Sequence, residues 1–125
     1  MQPMQPSLLV VDDEETTRRL VAFTLRPLSV RVIEAVDVQT ALSLVRSDRP
    51  NMILVDINLP GIDGFMLMDW LRDTPEAQNI PFVAFTARTN PDDELRAYEL
   101  GAVGFLSKPF SMTELRALVS RFIST

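Results

Sequence analysis

The sequence contains no cysteine and no histidine. Without cysteine there is no disulfide scaffold, thiol nucleophile or zinc–thiolate site, and without histidine there is no Ser-His-Asp triad and no imidazole acid or base. Basic residues are also few, because 12 Lys and Arg stand against 17 Asp and Glu, for a net charge of −5. A nucleic-acid-binding surface needs a basic surplus, so direct binding of DNA or RNA is disfavoured.

Long apolar runs are missing as well. No run approaches the ~20 residues of a membrane span, and residues 1–6 lack the basic start and apolar core of a signal peptide. The 125 residues, 46% apolar and 23% charged, have the size and balance of one globular domain. We expect an N-terminal extension at 1–6 and a single domain at 7–125, with no output domain, in the cytoplasm and not on a membrane.

Short apolar runs alternate with longer segments of helical period. Predicted strands are 7–11, 30–34, 52–55, 81–85 and 105–106, and predicted helices are 15–25, 37–46, 64–72, 91–100 and 111–123. Asp37 and Ser111 are expected to cap their helices, Ser111 in a capping box with Glu114. Most of the strands are apolar on both faces, which is typical of a parallel sheet covered by helices on both sides, whereas 30–34 has a polar face and is expected at an edge. The pattern predicts a doubly wound α/β fold of five strand–helix repeats.

Polar residues stand where four of these strands end. They are Asp12, Asp13, Asp56, Thr86 and Lys108. Since ligands of open parallel sheets bind outside the carboxyl ends of the strands, we expect these side chains to converge. Clustered carboxylates repel one another unless a cation neutralises them, and oxygen ligands without His or Cys favour Mg²⁺ before Ca²⁺. A hydroxyl and an ammonium could bind phosphoryl oxygens. The pattern predicts phosphoryl chemistry with a metal.

Each of these residues also has an ordinary interpretation when taken alone. Asp13, followed by two glutamates, could cap the first helix and complement its dipole. Thr86 could be a common strand residue, Lys108 a solvated lysine and Asp56 a turn residue. Their joint occurrence at four strand ends favours the functional interpretation.

Four blocks of the sequence surround these strand ends: LLVVDDEE at 8–15, MILVDINLPGIDG at 52–64, FVAFTA at 82–87 and GAVGFLSKPF at 101–110. In this order they resemble the receiver domain of two-component response regulators, the CheY-like domains, and the resemblance extends over 7–123. It implies a flavodoxin-like fold with strand order 2-1-3-4-5. It also implies signal transduction in a phosphorelay, in which the chain is a phosphoacceptor that modifies itself and not a turnover enzyme.

The resemblance assigns roles at the strand ends. Asp56 would accept a phosphoryl group from the phosphohistidine of a sensor histidine kinase or a histidine phosphotransfer protein. Mg²⁺ would be bound by Asp13, Asp56 and the backbone carbonyl of Asn58, with Asp12 acting mainly through a water molecule. Thr86 and Lys108 would hold phosphoryl oxygens.

The same resemblance implies a conformational switch. Thr86 and Phe105 would move on phosphorylation, with Phe105 standing where tyrosine is commonest, and the face formed by the fourth helix, fifth strand and fifth helix would bind a downstream protein target or output domain. The Lys108–Pro109 peptide would be cis, and Asn58 and Arg88 occupy positions that influence how long the phosphoryl group survives. We expect a monomer or weak dimer.

Three other functions compete with this one. A pseudo-receiver would bind proteins without being phosphorylated. A haloacid-dehalogenase-like phosphatase would need Asp-x-Asp at the nucleophile, where this chain has Asp56-Ile57-Asn58. A nucleotide or flavin domain would need a Gly-rich loop after the first strand.

The third predicted helix has a second apolar side. Its core side is formed by Phe65, Leu67, Met68 and Leu71. Met66 and Trp70 lie together on the opposite side. They are either a pair half covered by a neighbouring loop or a second docking surface, for a partner or another copy of the chain.

Overall fold

The computed structural model describes residues 5–59, 64–87 and 90–123. In these ranges the strands are β1 (Ser7–Val11), β2 (Arg31–Ala35), β3 (Met52–Asp56), β4 (Phe82–Thr86) and β5 (Gly104–Ser107). The α-helices are α1 (Glu15–Leu25), α2 (Val38–Asp48), α3 (Gly64–Asp73), α4 (Pro91–Glu99) and α5 (Met112–Phe122). None of the described helices is long and apolar enough to cross a membrane.

The strands form one parallel sheet in the order β2-β1-β3-β4-β5. Every residue of β1, β3 and β4 is buried, as their unbroken apolar sequences predict. β2, with two exposed charged residues, lies at one edge. The predicted fold class and strand order are confirmed.

Alternate residues of each strand enter two separate cores. Leu9, Ile53 and Ala84 belong to a core closed by α2, α3 and α4. Leu8 and Leu54 belong to the other core, which α1 and α5 close. Because successive strand residues point to opposite faces, a strand that is apolar throughout supplies both cores. The sheet faces are therefore filled, and its polar side chains are confined to the edges and the strand ends.

Helix ends follow the capping signals. Asp37 accepts a hydrogen bond from the Thr40 amide, which lowers the pKa of its carboxyl group, and Ser111 accepts one from the Glu114 amide. Asn90, which was not predicted as a cap, accepts one from the Asp92 amide.

Most element boundaries differ from the sequence prediction by one or two residues, and the reason is visible for α2, β2 and β5. α2 continues past the predicted end at 46 to Asp48, and Arg49 closes it in the left-handed region at φ 45°. β2 is shifted by one residue because its ladder with β1 begins at Arg31. β5 is longer than 105–106, since Gly104 and Ser107 also pair with β4.

The exposed side of α3 is where the helical pattern placed it. Met66 is 45% exposed and Trp70 is 37% exposed. Trp70 lines an open groove with Leu42 and Arg46 of α2 and Asp73. A docking role for this surface stays a prediction.

α3 begins against the end of β3. The Gly64 amide donates to the Ile57 carbonyl at 2.8 Å. A Cβ on Gly64 would overlap the carbonyl oxygen of Asp56 and lie 2.8 Å from the Cα of Ile57. Both neighbours are backbone and cannot rotate away. Only glycine lets the helix approach the strand this closely.

We therefore expect Gly64→Ala to destabilise the domain by about 1–3 kcal/mol, the usual cost of overpacking. Gly104→Ala is the matched control, because its added Cβ would meet a flexible side-chain atom, Cδ1 of Leu118, at 3.2 Å. Urea unfolding midpoints of both variants measure the effect. Equal midpoints would show that α3 can move away from the strand without cost.

Candidate functional site

Three of the predicted residues are in direct contact at the carboxyl edge of the sheet. The ammonium of Lys108, just after β5, lies 2.7 Å from Oδ2 of Asp12 and 3.1 Å from Oδ2 of Asp56. Glu14 lies further away, with Oε1 at 3.5 Å. The Lys108 side chain is only 12% exposed, and it is the only lysine in the sequence. One ammonium therefore contacts two buried carboxylates and balances one of their two negative charges.

The two carboxylates are held in the same way. Oδ1 of Asp12 accepts the backbone N–H of Glu14 at 2.8 Å, and Oδ1 of Asp56 accepts that of Asn58 at 3.0 Å. Aspartate commonly bonds the amide two residues on, at the start of a turn. In each case Oδ2 is left to face Lys108, so the local turns aim both carboxylates at one point.

Burial and charge oppose each other in this cluster. Burial raises the pKa of Asp12, and the nearby charge of Asp56 raises it further, against the lowering effect of the hydrogen bond from Lys108. Burial by itself would lower the pKa of Lys108, but the hydrogen bond from its ammonium to Asp12 and the charge of Asp56 outweigh burial and raise it. Lys108 is therefore charged at neutral pH.

The acidic residues also form a group that suits a metal ion. One carboxylate oxygen each from Asp12, Asp13 and Asp56 lies within 4.8 Å of the others. Asp13 is exposed and the other two are buried, so the group opens to solvent on one side. Oxygen donors of this kind suit a hard cation such as Mg²⁺. Ligation by the Asn58 carbonyl stays a prediction.

Thr86 lies at the end of β4 and is fully buried. Its hydroxyl accepts a hydrogen bond from the side-chain amide of Asn58 at 2.7 Å. Phe105, the second predicted switch residue, is partly buried in β5. Arg88 lies outside the described residues. The Lys108–Pro109 peptide is cis, as the resemblance implies.

Sequence reasoning missed two contacts at this edge. The first is the Asn58–Thr86 hydrogen bond, since Asn58 was considered only as a metal ligand through its carbonyl and for its influence on how long the phosphoryl group survives. The second is Arg18, whose guanidinium donates to the carbonyl of Asp12 at 2.9 Å. Neither contact has a local sequence signal. The ordinary interpretation of Asp13 as a helix cap is not what the structure shows, because Glu14 is the N-cap residue of α1 and makes no side-chain capping bond.

Comparisons with known proteins agree with this geometry. The family model "Response regulator receiver domain" matches residues 8–120. Over 93% of the chain, it is 39% identical to response regulator PleD of Caulobacter vibrioides and 35% identical to the phosphate regulon transcriptional regulatory protein PhoB of Escherichia coli. It covers 26% of the length of PleD and 51% of that of PhoB. The crystal structure of chemotaxis protein CheY4 from Vibrio cholerae superposes with a TM-score of 0.89 at 28% identity, over 96% of this chain and all of that one.

The bridging role of Lys108 predicts how the site responds to its removal. In Lys108→Met two buried carboxylates lose their cation, at a cost on the order of 3 kcal/mol without metal. Mg²⁺ should restore part of this loss, so the rise in Tm with Mg²⁺ should be larger than in the parent protein. The deficit should also shrink as the pH falls towards the ordinary aspartate value of 3.8, because protonation removes the unpaired charge.

Arg121→Met, which removes the same charge from an exposed site in α5, is the control. Thermal unfolding with and without Mg²⁺ compares the two variants. An equal Mg²⁺ response in both would mean that Lys108 does not balance the carboxylates.

Proposed function

This chain belongs to the receiver-domain family of response regulators, and from that membership we propose that Asp56 accepts a phosphoryl group from a phosphohistidine. The donor would be a sensor histidine kinase or a histidine phosphotransfer protein. The observation that carries the proposal is the place of Asp56 at the end of central strand β3, in contact with Lys108 and grouped with Asp12 and Asp13.

The chemistry follows from these neighbours. A carboxylate oxygen of Asp56 attacks phosphorus, a P–O bond forms, and the P–N bond breaks as its electron pair leaves with the imidazole nitrogen of the donor. Lys108, already 3.1 Å from Asp56, can transfer its hydrogen bonds to the incoming phosphoryl oxygens. Bound Mg²⁺ would neutralise negative charge on those oxygens, and Asp12, Asp13 and Asp56 are the residues that would hold it.

The switch would begin at Thr86. Its hydroxyl accepts a hydrogen bond from Asn58 in this structure, and a phosphoryl oxygen on Asp56 would be a new acceptor for the proton that the hydroxyl donates. That differential interaction is what a ligand needs in order to shift a conformational equilibrium. Phe105 would then occupy the vacated space and change the surface of α4, β5 and α5, where Leu95 and Tyr98 are exposed.

The proposal also covers the partner of this surface, the location of the protein and its oligomeric state. The chain spans 51% of the length of PhoB and 26% of that of PleD, so both relatives have further parts. We therefore propose that the partner at this surface is a protein target or an output domain. We propose a cytoplasmic phosphoacceptor, monomeric or weakly dimeric, that is not a turnover enzyme. Retention of all the strand-end residues favours it over a pseudo-receiver.

Phosphorylation at Asp56 can be tested by intact mass. Incubation with Mg²⁺ and acetyl phosphate should add one phosphoryl group to the parent protein and none to Asp56→Asn. Asp13→Asn should remove most of the reactivity, because a carboxylate ligand is lost. Asp69→Asn, an acid on the outer side of α3, should react like the parent.

Three other results have distinct meanings. A phosphoryl group on Asp56→Asn would reassign the acceptor. An unreactive parent, towards both acetyl phosphate and a phosphohistidine donor, would favour the pseudo-receiver. Repeated hydrolysis of phosphate monoesters would favour the phosphatase.

The switch predicts different behaviour for two substitutions of Thr86. With beryllofluoride as a phosphoryl mimic, hydrogen exchange in α4 and β5 should change in the parent and in Thr86→Ser, which keeps the hydroxyl. Thr86→Val has nearly the same shape without the hydroxyl, and it should bind the mimic with little change in exchange. Equal changes in both variants would exclude the hydroxyl as the link between the site and this face.

A further inference from the structure

Arg18 links three parts of the domain at the edge of the site. It lies in α1, and its side chain is only 12% exposed. Its Nη1 donates to the backbone carbonyl of Asp12 at 2.9 Å, and its Nε donates to Oε1 of Glu34, in edge strand β2, at 2.8 Å. One guanidinium thus joins α1, β2 and the segment that follows β1.

The carbonyl that Arg18 binds lies between the two acidic residues that follow β1. It belongs to the planar peptide group that joins Asp12 to Asp13, so its direction fixes the direction in which the chain enters Asp13. The pairing of β1 with β2 ends at Val11 and Ala35. Beyond that point the Asp12 amide still donates to the Ala35 carbonyl at 3.0 Å, and the Asp12 carbonyl accepts the hydrogen bond from Arg18.

The two acidic residues depend on this peptide to different degrees. The carboxylate of Asp12 is buried and fixed by the Glu14 amide and by Lys108. Asp13 is exposed, yet its carboxylate oxygen lies within 4.8 Å of those of Asp12 and Asp56. Its distance from the other two carboxylates is therefore set largely by the backbone that carries it.

Glu34 gives the guanidinium a fixed point. It is paired in register with Val10 in the ladder between β1 and β2, so its backbone is part of the sheet. The planar guanidinium presents Nε and Nη1 in a rigid arrangement that can serve a carboxylate and a carbonyl at once. A lysine ammonium on a flexible stem has no such fixed pair of directions.

We propose that Arg18, anchored by Glu34, is a positioning residue that sets the Asp12–Asp13 peptide and thereby raises the affinity of the Asp12, Asp13 and Asp56 carboxylates for Mg²⁺. The inference rests on the metal binding included in the proposed function. It adds a part of the site that does not itself touch the ion.

Charge and position make opposite predictions for the removal of Arg18. A positive charge near the carboxylates repels a divalent cation, so loss of the charge alone would tighten Mg²⁺ binding. Loss of positioning would weaken it. Arg19 provides the matched comparison, because it is the next residue, is 76% exposed and pairs with Glu15 on the surface at 3.0 Å.

The experiment is a calorimetric titration with Mg²⁺, repeated with Mn²⁺ by electron paramagnetic resonance, on the parent protein and its variants. Arg18→Gln should bind Mg²⁺ ~10-fold more weakly, a typical effect of losing a group that orients metal ligands. Arg18→Lys should also bind more weakly although its charge is unchanged. Arg19→Gln should bind as tightly as the parent or slightly more tightly.

Glu34→Gln completes the set. It leaves the arginine in place but removes the charge that holds it, so the metal affinity should fall by less than in Arg18→Gln. Titrations are made at a temperature where circular dichroism shows every variant folded, because a residue that only stabilised the fold would then leave the affinity unchanged. If Arg18→Gln does not fold, the comparison of Arg18→Lys with Arg19→Lys decides.

Two results would overturn the inference in distinguishable ways. The positioning role is refuted if Arg18→Gln and Arg18→Lys both bind Mg²⁺ as tightly as the parent protein. It is also refuted if Arg18→Gln binds Mg²⁺ more tightly, as Arg19→Gln does. Either result leaves the proposed function intact. No Mg²⁺ binding by the parent protein would refute the positioning role together with the metal binding on which it rests.

Discussion

The balance of charge around Lys108 is the constraint on which the site depends. Two carboxylates are buried at neighbouring strand ends, and buried charges are costly unless they are paired and hydrogen-bonded. The ammonium contacts both of them, and each also accepts a backbone N–H. The ammonium balances one of the two negative charges, and the charge that remains suits the cation and the phosphoryl transfer of the proposed function.

The sheet explains why this charge is concentrated at one edge. Both of its faces are covered by helices and filled by apolar side chains, so neither face can accept a polar group at low cost. Since all five strands are parallel, their carboxyl ends lie together. The close approach of α3 at Gly64 brings a helix against the same edge, beside the backbone of Asp56.

Two further side chains make hydrogen bonds to groups at this edge. Asn58 engages the hydroxyl of Thr86, and Arg18 holds the peptide between Asp12 and Asp13. In both contacts a polar side chain provides the partner of a group at a strand end. Asn58 thereby connects the end of β3 to Thr86 at the end of β4, and Arg18 connects the end of β1 to Glu34 in edge strand β2.

The sequence by itself determined the fold class, the strand order through family resemblance, and the set of residues at the strand ends. Apolar runs and helical periods are local properties, and parallel strands must bring their carboxyl ends to one edge. The exact element ends were less predictable, because the shift of β2 and the length of β5 follow from pairing with a neighbouring strand.

Only the tertiary structure decided which of the strand-end groups touch. Lys108 bonds to Asp12 across 96 residues of sequence, and Asn58 bonds to Thr86 across 28. Arg18 reaches the Asp12 carbonyl only because α1 packs beside β2, where Glu34 holds the guanidinium. Hydrogen bonds depend on distances of tenths of an ångström, and these are set by the packing of helices on the sheet, which no local pattern of residues encodes.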